Sequence, residues 1–270
     1  MIAVAMSPRG RLAAVVLALA VAGPASLPAD AGDEELRTIP TRKGVTESFL
    51  LLRPSGAPAA SVILLAGGDG VVALTPDGPS QLQGNFLVRT RRRFADEGLL
   101  VAVLDAPSDR TSLWNFRTTA DHATDIKAAI AALREIAAVP VWLVGTSMGT
   151  LSAASAAARL KDGGPDGIVL TSSVSEISRA SGESIRHVSL GDIRVPVLIV
   201  HHRDDTCRSS PYAWAADAPR ALKRAPAKEL LTYQGGSPPI SDPCEAKSAH
   251  GYLGLEPEVV SAIGAWIRSH

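Results

Sequence analysis

The sequence predicts an α/β protein with a mostly parallel central sheet and helices on both faces, and three observations carry that prediction. Short apolar runs alternate with helix-like segments over most of the chain. The runs are apolar throughout rather than alternating, as expected for parallel strands covered on both faces. Several of them end on Gly, Asp, Ser or His, and in such sheets ligands bind beyond the carboxyl ends of the strands.

Taken in order, the first strand-like run is 45–52, followed by 62–66, which ends in Gly67-Gly68. Residues 99–104 end at Asp105, 141–144 at Gly145, and 168–170 at Thr171 and Ser172. Residues 195–200 lead to His201, and 229–233 lead to Gln234-Gly235-Gly236. Between them, 119–137 places Ile126, Ile130, Leu133 and Ala137 on one helical stripe. Thr118 with Asp121 resembles a capping box at its start. The last helix is expected from Glu256-Pro257, with Pro near the first helical position and Val259, Val260, Ile263, Trp266 and Ile267 on its buried face. There is no internal repeat or long linker, so residues 32–270 read as one domain.

Of 270 residues, 46% are hydrophobic, enough for a substantial core. Lys+Arg and Asp+Glu both number 27, a balance that points to neither nucleic acid nor an anionic membrane surface. The run Arg91-Arg92-Arg93 reads as a solvated helix face. At the N-terminus, Arg9 and Arg11 precede the apolar run 12–22, and Ala29-Asp30-Ala31 offers a small-x-small cleavage site. Residues 1–31 therefore read as a secretory signal peptide, too short in its apolar part to span a membrane. The expected product is exported, periplasmic or secreted, with no membrane span after cleavage. In an oxidising compartment the two cysteines, Cys207 and Cys244, are most simply a disulfide; the alternative is two unrelated thiols.

The strongest motif is Gly145-Thr146-Ser147-Met148-Gly149, a G-x-S-x-G between a strand and a small-residue helix. That context is what a nucleophile elbow requires: the turn is so sharp that only small residues fit two positions either side of the serine. A serine nucleophile needs a base to take its proton and a carboxylate to orient the base. Six histidines are candidates. His122 falls within a helix, His187 in a loop before a strand, His201 and His202 at a strand end, and His270 at the end of the sequence. His250 alone lies between the last strand and the last helix.

With GTSMG at 145–149, LLAGGDG at 64–70, VLIVHHRDD at 197–205 and SAHGYLG at 248–254, the chain resembles the α/β-hydrolase family over nearly all of residues 45–270. The resemblance implies the order Ser, acid, His, hence Ser147 as nucleophile, Asp205 as acid and His250 as base. Asp204 is the near rival of Asp205, and Glu176 a distant one. It also implies an oxyanion site from the Met148 backbone N–H and one in the loop after the 62–66 strand, with Gly68 first and Asp69 next. Ala66 departs from the histidine common in that loop. The segment between Ser172 and Arg194 is too short for a large cap domain, so the chain is most similar to the dienelactone-hydrolase and small carboxylesterase branches. A Cys207–Cys244 disulfide would tie the acid loop to the histidine loop.

A metal site is the competing reading, since His201, His202, Asp204, Asp205, Cys207 and His250 include good ligand types. Adjacent strand histidines point to opposite faces, however, and no HExxH or CxxC spacing is present. The expectation is thus an exported serine hydrolase acting on an ester or other activated acyl bond of a small molecule, with no cofactor. A peptidase or acyltransferase would use the same residues, and a binding protein without turnover would keep the same scaffold. Substrate identity would lie in 71–85, 106–117 and 173–191, whose sequences carry no readable motif.

Overall fold

One eight-stranded sheet organises the chain: β1 (Glu35–Arg42), β2 (Val45–Leu52), β3 (Ala60–Leu65), β4 (Leu99–Leu104), β5 (Val141–Thr146), β6 (Gly167–Thr171), β7 (Val197–His202) and β8 (Lys228–Tyr233). The computed structural model describes residues 34–177 and 182–270, so the leader expected over 1–31 lies outside the described residues. The spatial order is β1-β2-β4-β3-β5-β6-β7-β8. The β1–β2 and β2–β4 pairs are antiparallel and the other pairs are parallel.

Among the described residues five helices cover the sheet: α1 (Phe86–Asp96), α2 (Ala120–Ile136), α3 (Gly149–Arg159), α4 (Tyr212–Ala221) and α5 (Glu256–Ser269). Successive strand side chains face opposite sides of a sheet. Val62, Leu64, Trp142 and Val144 accordingly pack with Phe86 and Phe94 of α1 and with Val259 and Ile263 of α5. Ile63, Leu65 and Leu143 pack on the other side with Ile126 and Ile130 of α2, Leu151 of α3 and Ala215 of α4. Both faces of β3 and β5 are buried, which is why these runs contain almost no polar residue.

Two local expectations are corrected. The N-cap of α2 is Thr119, whose side chain accepts from the His122 N–H, and not Thr118, whose hydroxyl donates to Glu183 instead. An unexpected strand, β1, pairs along β2 at the edge of the sheet. Its sequence ELRTIPTR is half exposed and includes Pro40, a residue tolerated on edge strands. Arg42 anchors it through Asp125 of α2 and Asp109. Of the arginine run, Arg92 and Arg93 are exposed, while Arg91 is partly buried and pairs, like Arg92, with Glu34.

The chain runs from β3 to β4 on one side and then crosses to β5 on the other. β3 and β5 are therefore neighbours at the topological switch point, the place where open α/β sheets form a crevice. Their register pairs Leu65 with Gly145, so the segments that follow, 66–70 and 146–149, emerge side by side.

Candidate active site

Ser147 sits at the end of β5 with φ +52°, a left-handed conformation that a non-glycine residue adopts at a cost of about 1–3 kcal/mol. Its surroundings enforce it. The Ser147 N–H donates to the Thr171 carbonyl at 2.9 Å, and Thr150 donates through its hydroxyl to the Ser147 carbonyl at 2.7 Å. A Cβ at Gly145 would strike the Gly149 carbonyl, and one at Gly149 would strike the Leu65 carbonyl. The flanking glycines are thus dictated by the closeness of β3, β5 and α3. Ser147 is partly exposed while Thr146 and Met148 are buried, so the turn presents its side chain to the crevice.

His250 lies in a short 3-10 turn, Ala249–Gly251, capped by the Ser248 hydroxyl. Two contacts pin this turn to the sheet. Ser172 Oγ donates to the His250 carbonyl at 2.8 Å, and Tyr252, wholly buried, donates its hydroxyl to the Val200 carbonyl of β7 at 2.8 Å. The His250 Nδ1 lies 2.8 Å from Asp205 Oδ2. A carboxylate only accepts, so Nδ1 carries the proton and Nε2 is left with its lone pair. Nε2 is shielded from solvent and has no hydrogen-bond partner among the described residues.

Asp205 is buried in the turn after β7. Its N–H donates to the His202 carbonyl, and its Oδ1 accepts from the Cys207 N–H at 2.9 Å. Asp204 is exposed and turned away, its N–H directed to His202 Nδ1. Glu176 pairs with Arg186 at the surface. The Cys207–Cys244 disulfide is present, with an S–S distance of 2.09 Å. It joins the residue whose N–H holds Asp205 to the segment that leads into the His250 turn.

The side chains that suggested a metal are engaged elsewhere. His201 Nε2 donates to the Ser210 carbonyl, His202 Nε2 donates to the Gly235 carbonyl, and Cys207 is in the disulfide. Among the described residues no group of three or more His, Cys, Asp or Glu is arranged to hold a metal ion. Burial pulls the pKa of His201 down, which keeps its imidazole neutral beside Asp205.

Opposite His250 lies the loop 66–70. Gly67 is packed so closely on the elbow that a Cβ there would come within 2.9 Å of Ser147 Cβ and 3.5 Å of Ser147 Oγ. Gly68 has φ +60°. The Met148 N–H stands at the N-terminus of α3, and among the described residues neither it nor the Gly68 N–H donates to another protein group. A cavity of about 350 Å³ connects these parts; Gly67, Gly68, Leu82, Phe86, Ser147, Cys244, Ala246 and His250 are among its lining residues.

Neither a protein-family model nor a curated protein sequence matches the chain significantly. Solved structures do. The chain is similar to an α/β serine hydrolase without a lid from Xanthomonas campestris, at 15% identity and a TM-score of 0.59 over 90% of this chain and 97% of that one. It is also similar to an esterase from Pyrococcus furiosus, at 15% identity and a TM-score of 0.64 over 88% and 91%. A puromycin-hydrolyzing peptidase of Mycobacterium tuberculosis is 18% identical, with a TM-score of 0.61 over 89% of this chain and 40% of that one.

The chain has the α/β-hydrolase fold. At such identities the likeness speaks for the fold alone. Within this α/β-hydrolase scaffold no large cap lies over the sheet among the described residues, and the crevice opens directly to solvent. Also among the described residues, no helix is long and apolar enough to cross a membrane. Reasoning from the sequence missed three residues that shape the site: Ser172 and Tyr252, which fix the histidine turn, and Arg117, which lies behind the 66–70 loop. Ser172 and Arg117 stand in no motif, and Tyr252, though within SAHGYLG, has nothing in its residue type that announces such a role. A polar residue just past a strand end, as Ser172 is, was the one available signal.

Proposed function

We propose that the protein is an exported serine hydrolase that cleaves an ester or another activated acyl bond of a small molecule. The observation that carries this reading is the Asp205–His250 hydrogen bond, formed by Nδ1 of a histidine that lines the same cavity as Ser147 and whose Nε2 has no hydrogen-bond partner among the described residues.

In this reading Ser147 Oγ attacks the acyl carbon while His250 Nε2 takes its proton. Asp205 holds the imidazole in the required tautomer and stabilises the imidazolium that forms. The Met148 and Gly68 N–H groups receive the oxyanion, assisted by the N-terminus of α3. His250 then gives its proton to the leaving group. Water, activated by the same imidazole, releases the acyl group and regenerates Ser147. No cofactor takes part in these steps.

The apolar lining from Leu82, Phe86 and Ala246 favours a small acyl group with little charge. Export is supported by the leader-like residues 1–31 and by a disulfide, which persists in oxidising compartments. The test is turnover of a panel of p-nitrophenyl esters of increasing chain length beside matched anilides. We expect short esters to be cleaved and Ser147→Ala to lower kcat roughly 10⁴-fold or more. Anilides cleaved as fast as esters would move the reading to a peptidase. No turnover of any ester or anilide by folded protein would remove it.

A further inference from the structure

We propose that Arg117 is the positioning residue of the oxyanion loop, aiming the backbone N–H groups of residues 67–69 toward Ser147 from behind. The inference rests on the serine-hydrolase reading of Ser147. Arg117 ends the stretch between β4 and α2 that the sequence left unread, and its side chain is only 1% exposed. One guanidinium nitrogen, Nη2, donates to the Ala66 and Gly68 carbonyls at 3.1 Å each, with the Gly67 carbonyl at 3.5 Å. The other, Nη1, donates to Ser152 Oγ at 3.0 Å, on the helix that begins at the elbow. Ser152 Oγ is in turn 2.9 Å from His122 Nε2. The loop is wrapped around this group, since a Cβ at Gly70 would come within 2.6 Å of Nη2.

The consequence follows from peptide geometry. In a trans peptide the C=O of one residue and the N–H of the next point in opposite directions. Every peptide bond among the described residues is trans. Carbonyls 66 and 68 drawn toward one guanidinium therefore turn the N–H groups of Gly67 and Asp69 away from it, and the Gly67 carbonyl between them, which also accepts from the Gly70 N–H at 3.1 Å, turns the Gly68 N–H the same way. On the proposed assignment that side faces the reacting centre, since a Cβ at Gly67 would stand 2.9 Å from Ser147 Cβ. A cation on the carbonyl side also polarises each peptide unit and strengthens its N–H as a donor.

A mere core filler is the plainer role for a buried side chain. Burying a charge carries a desolvation cost that an apolar side chain of similar volume avoids. Burial does pull the Arg117 pKa down, to about 10, which still leaves it charged at neutral pH. A retained charge that donates to the Ala66 and Gly68 carbonyls of one loop and to Ser152 of the elbow helix fits a device that sets peptide orientation.

The test compares Arg117→Met and Arg117→Lys with wild type. Active sites are titrated with a fluorophosphonate, so that kcat is expressed per reactive serine. We expect Arg117→Met to lower kcat per titrated site roughly 30- to 100-fold with KM within about threefold, because misaimed donors act on the transition state. Arg117→Lys, which restores a charge and a donor, should recover part of the loss. A structural filler would instead reduce the number of titratable sites and leave kcat per site unchanged. A kcat per site within about threefold of wild type in Arg117→Met overturns the inference. Should that variant not fold, Ser152→Ala decides: it removes the Nη1 acceptor and should lower kcat per site about fivefold, and an unchanged value overturns the proposal equally. A wild type that neither labels nor turns over overturns the hydrolase reading, and this inference with it.

Discussion

The two sides of the crevice are built in opposite ways. The side proposed to supply the base, around His250, is assembled from side chains: one carboxylate, one imidazole and a disulfide that ties their loops. The side proposed to receive the oxyanion, around Gly67 and Gly68, presents backbone, with the buried Arg117 donating to its carbonyls from behind. On the first side the proposed chemistry lies in side chains, His250 lining the cavity and Asp205 buried behind it. On the other side the candidate donors are backbone N–H groups, at positions where a side chain is crowded at Gly67 and strained at Gly68. A sequence motif therefore reveals the first kind of wall and is nearly silent about the second.

The comparison breaks most readily at Asp205. Asp205→Asn should lower kcat roughly 10³- to 10⁴-fold by disturbing the tautomer and charge of His250, while Asp204→Asn stays within about threefold of wild type. Equal losses would mean that the acid is not defined by the buried turn after β7. Ester turnover at saturating substrate measures both.

Next in size is the disulfide, which should matter to the base side and not to the oxyanion side. Its ends are 37 residues apart in sequence. Replacing both cysteines with serine should cost about 3–4 kcal/mol of stability on chain-entropy grounds. It should also lower kcat about tenfold, because the Cys207 N–H then holds Asp205 less firmly. Denaturant melts and turnover of the double variant give both numbers, and unchanged turnover would confine the bridge to stability.

The smallest effect sharpens the oxyanion side. Burial, with Arg117 and Arg42 nearby, lowers the His122 pKa from 6.5 to about 3. Between those values the unfolded chain binds a proton that the folded protein refuses, so stability falls as pH falls from about 6.5 toward 3. From pH 6.5 to 5 this group should account for up to about 2 kcal/mol of lost stability. In His122→Gln that component should vanish. Denaturant unfolding at the two pH values checks it, and an unchanged pH dependence would mean that His122 is accessible to protons in the folded state.

Much of the scaffold was legible because parallel strands buried on both faces leave continuous apolar runs, and each of the runs from 45 to 233 corresponds to a strand. β1 was not, because an edge strand half exposed to water carries Arg, Thr and Pro in place of that pattern. At the site, the motif located the elbow, since its glycines answer a steric demand set by β3 and α3. Asp204 and Asp205 could not be separated from sequence: adjacent residues in a turn differ only in which one the turn buries. Arg117 left no trace because an arginine in a loop reads as surface charge until its partners are known. Thr118 and Thr119 were confused for a similar reason, as both precede the helix and only the direction of the chain decides which one caps it.

The most direct test of the central claim, an activated Ser147, is fluorophosphonate labelling of the folded, oxidised protein with mass mapping of the modified residue. One label per chain is expected, on Ser147, abolished by Ser147→Ala and by His250→Ala. No labelling of folded protein, or a label on another serine that survives both substitutions, would contradict it.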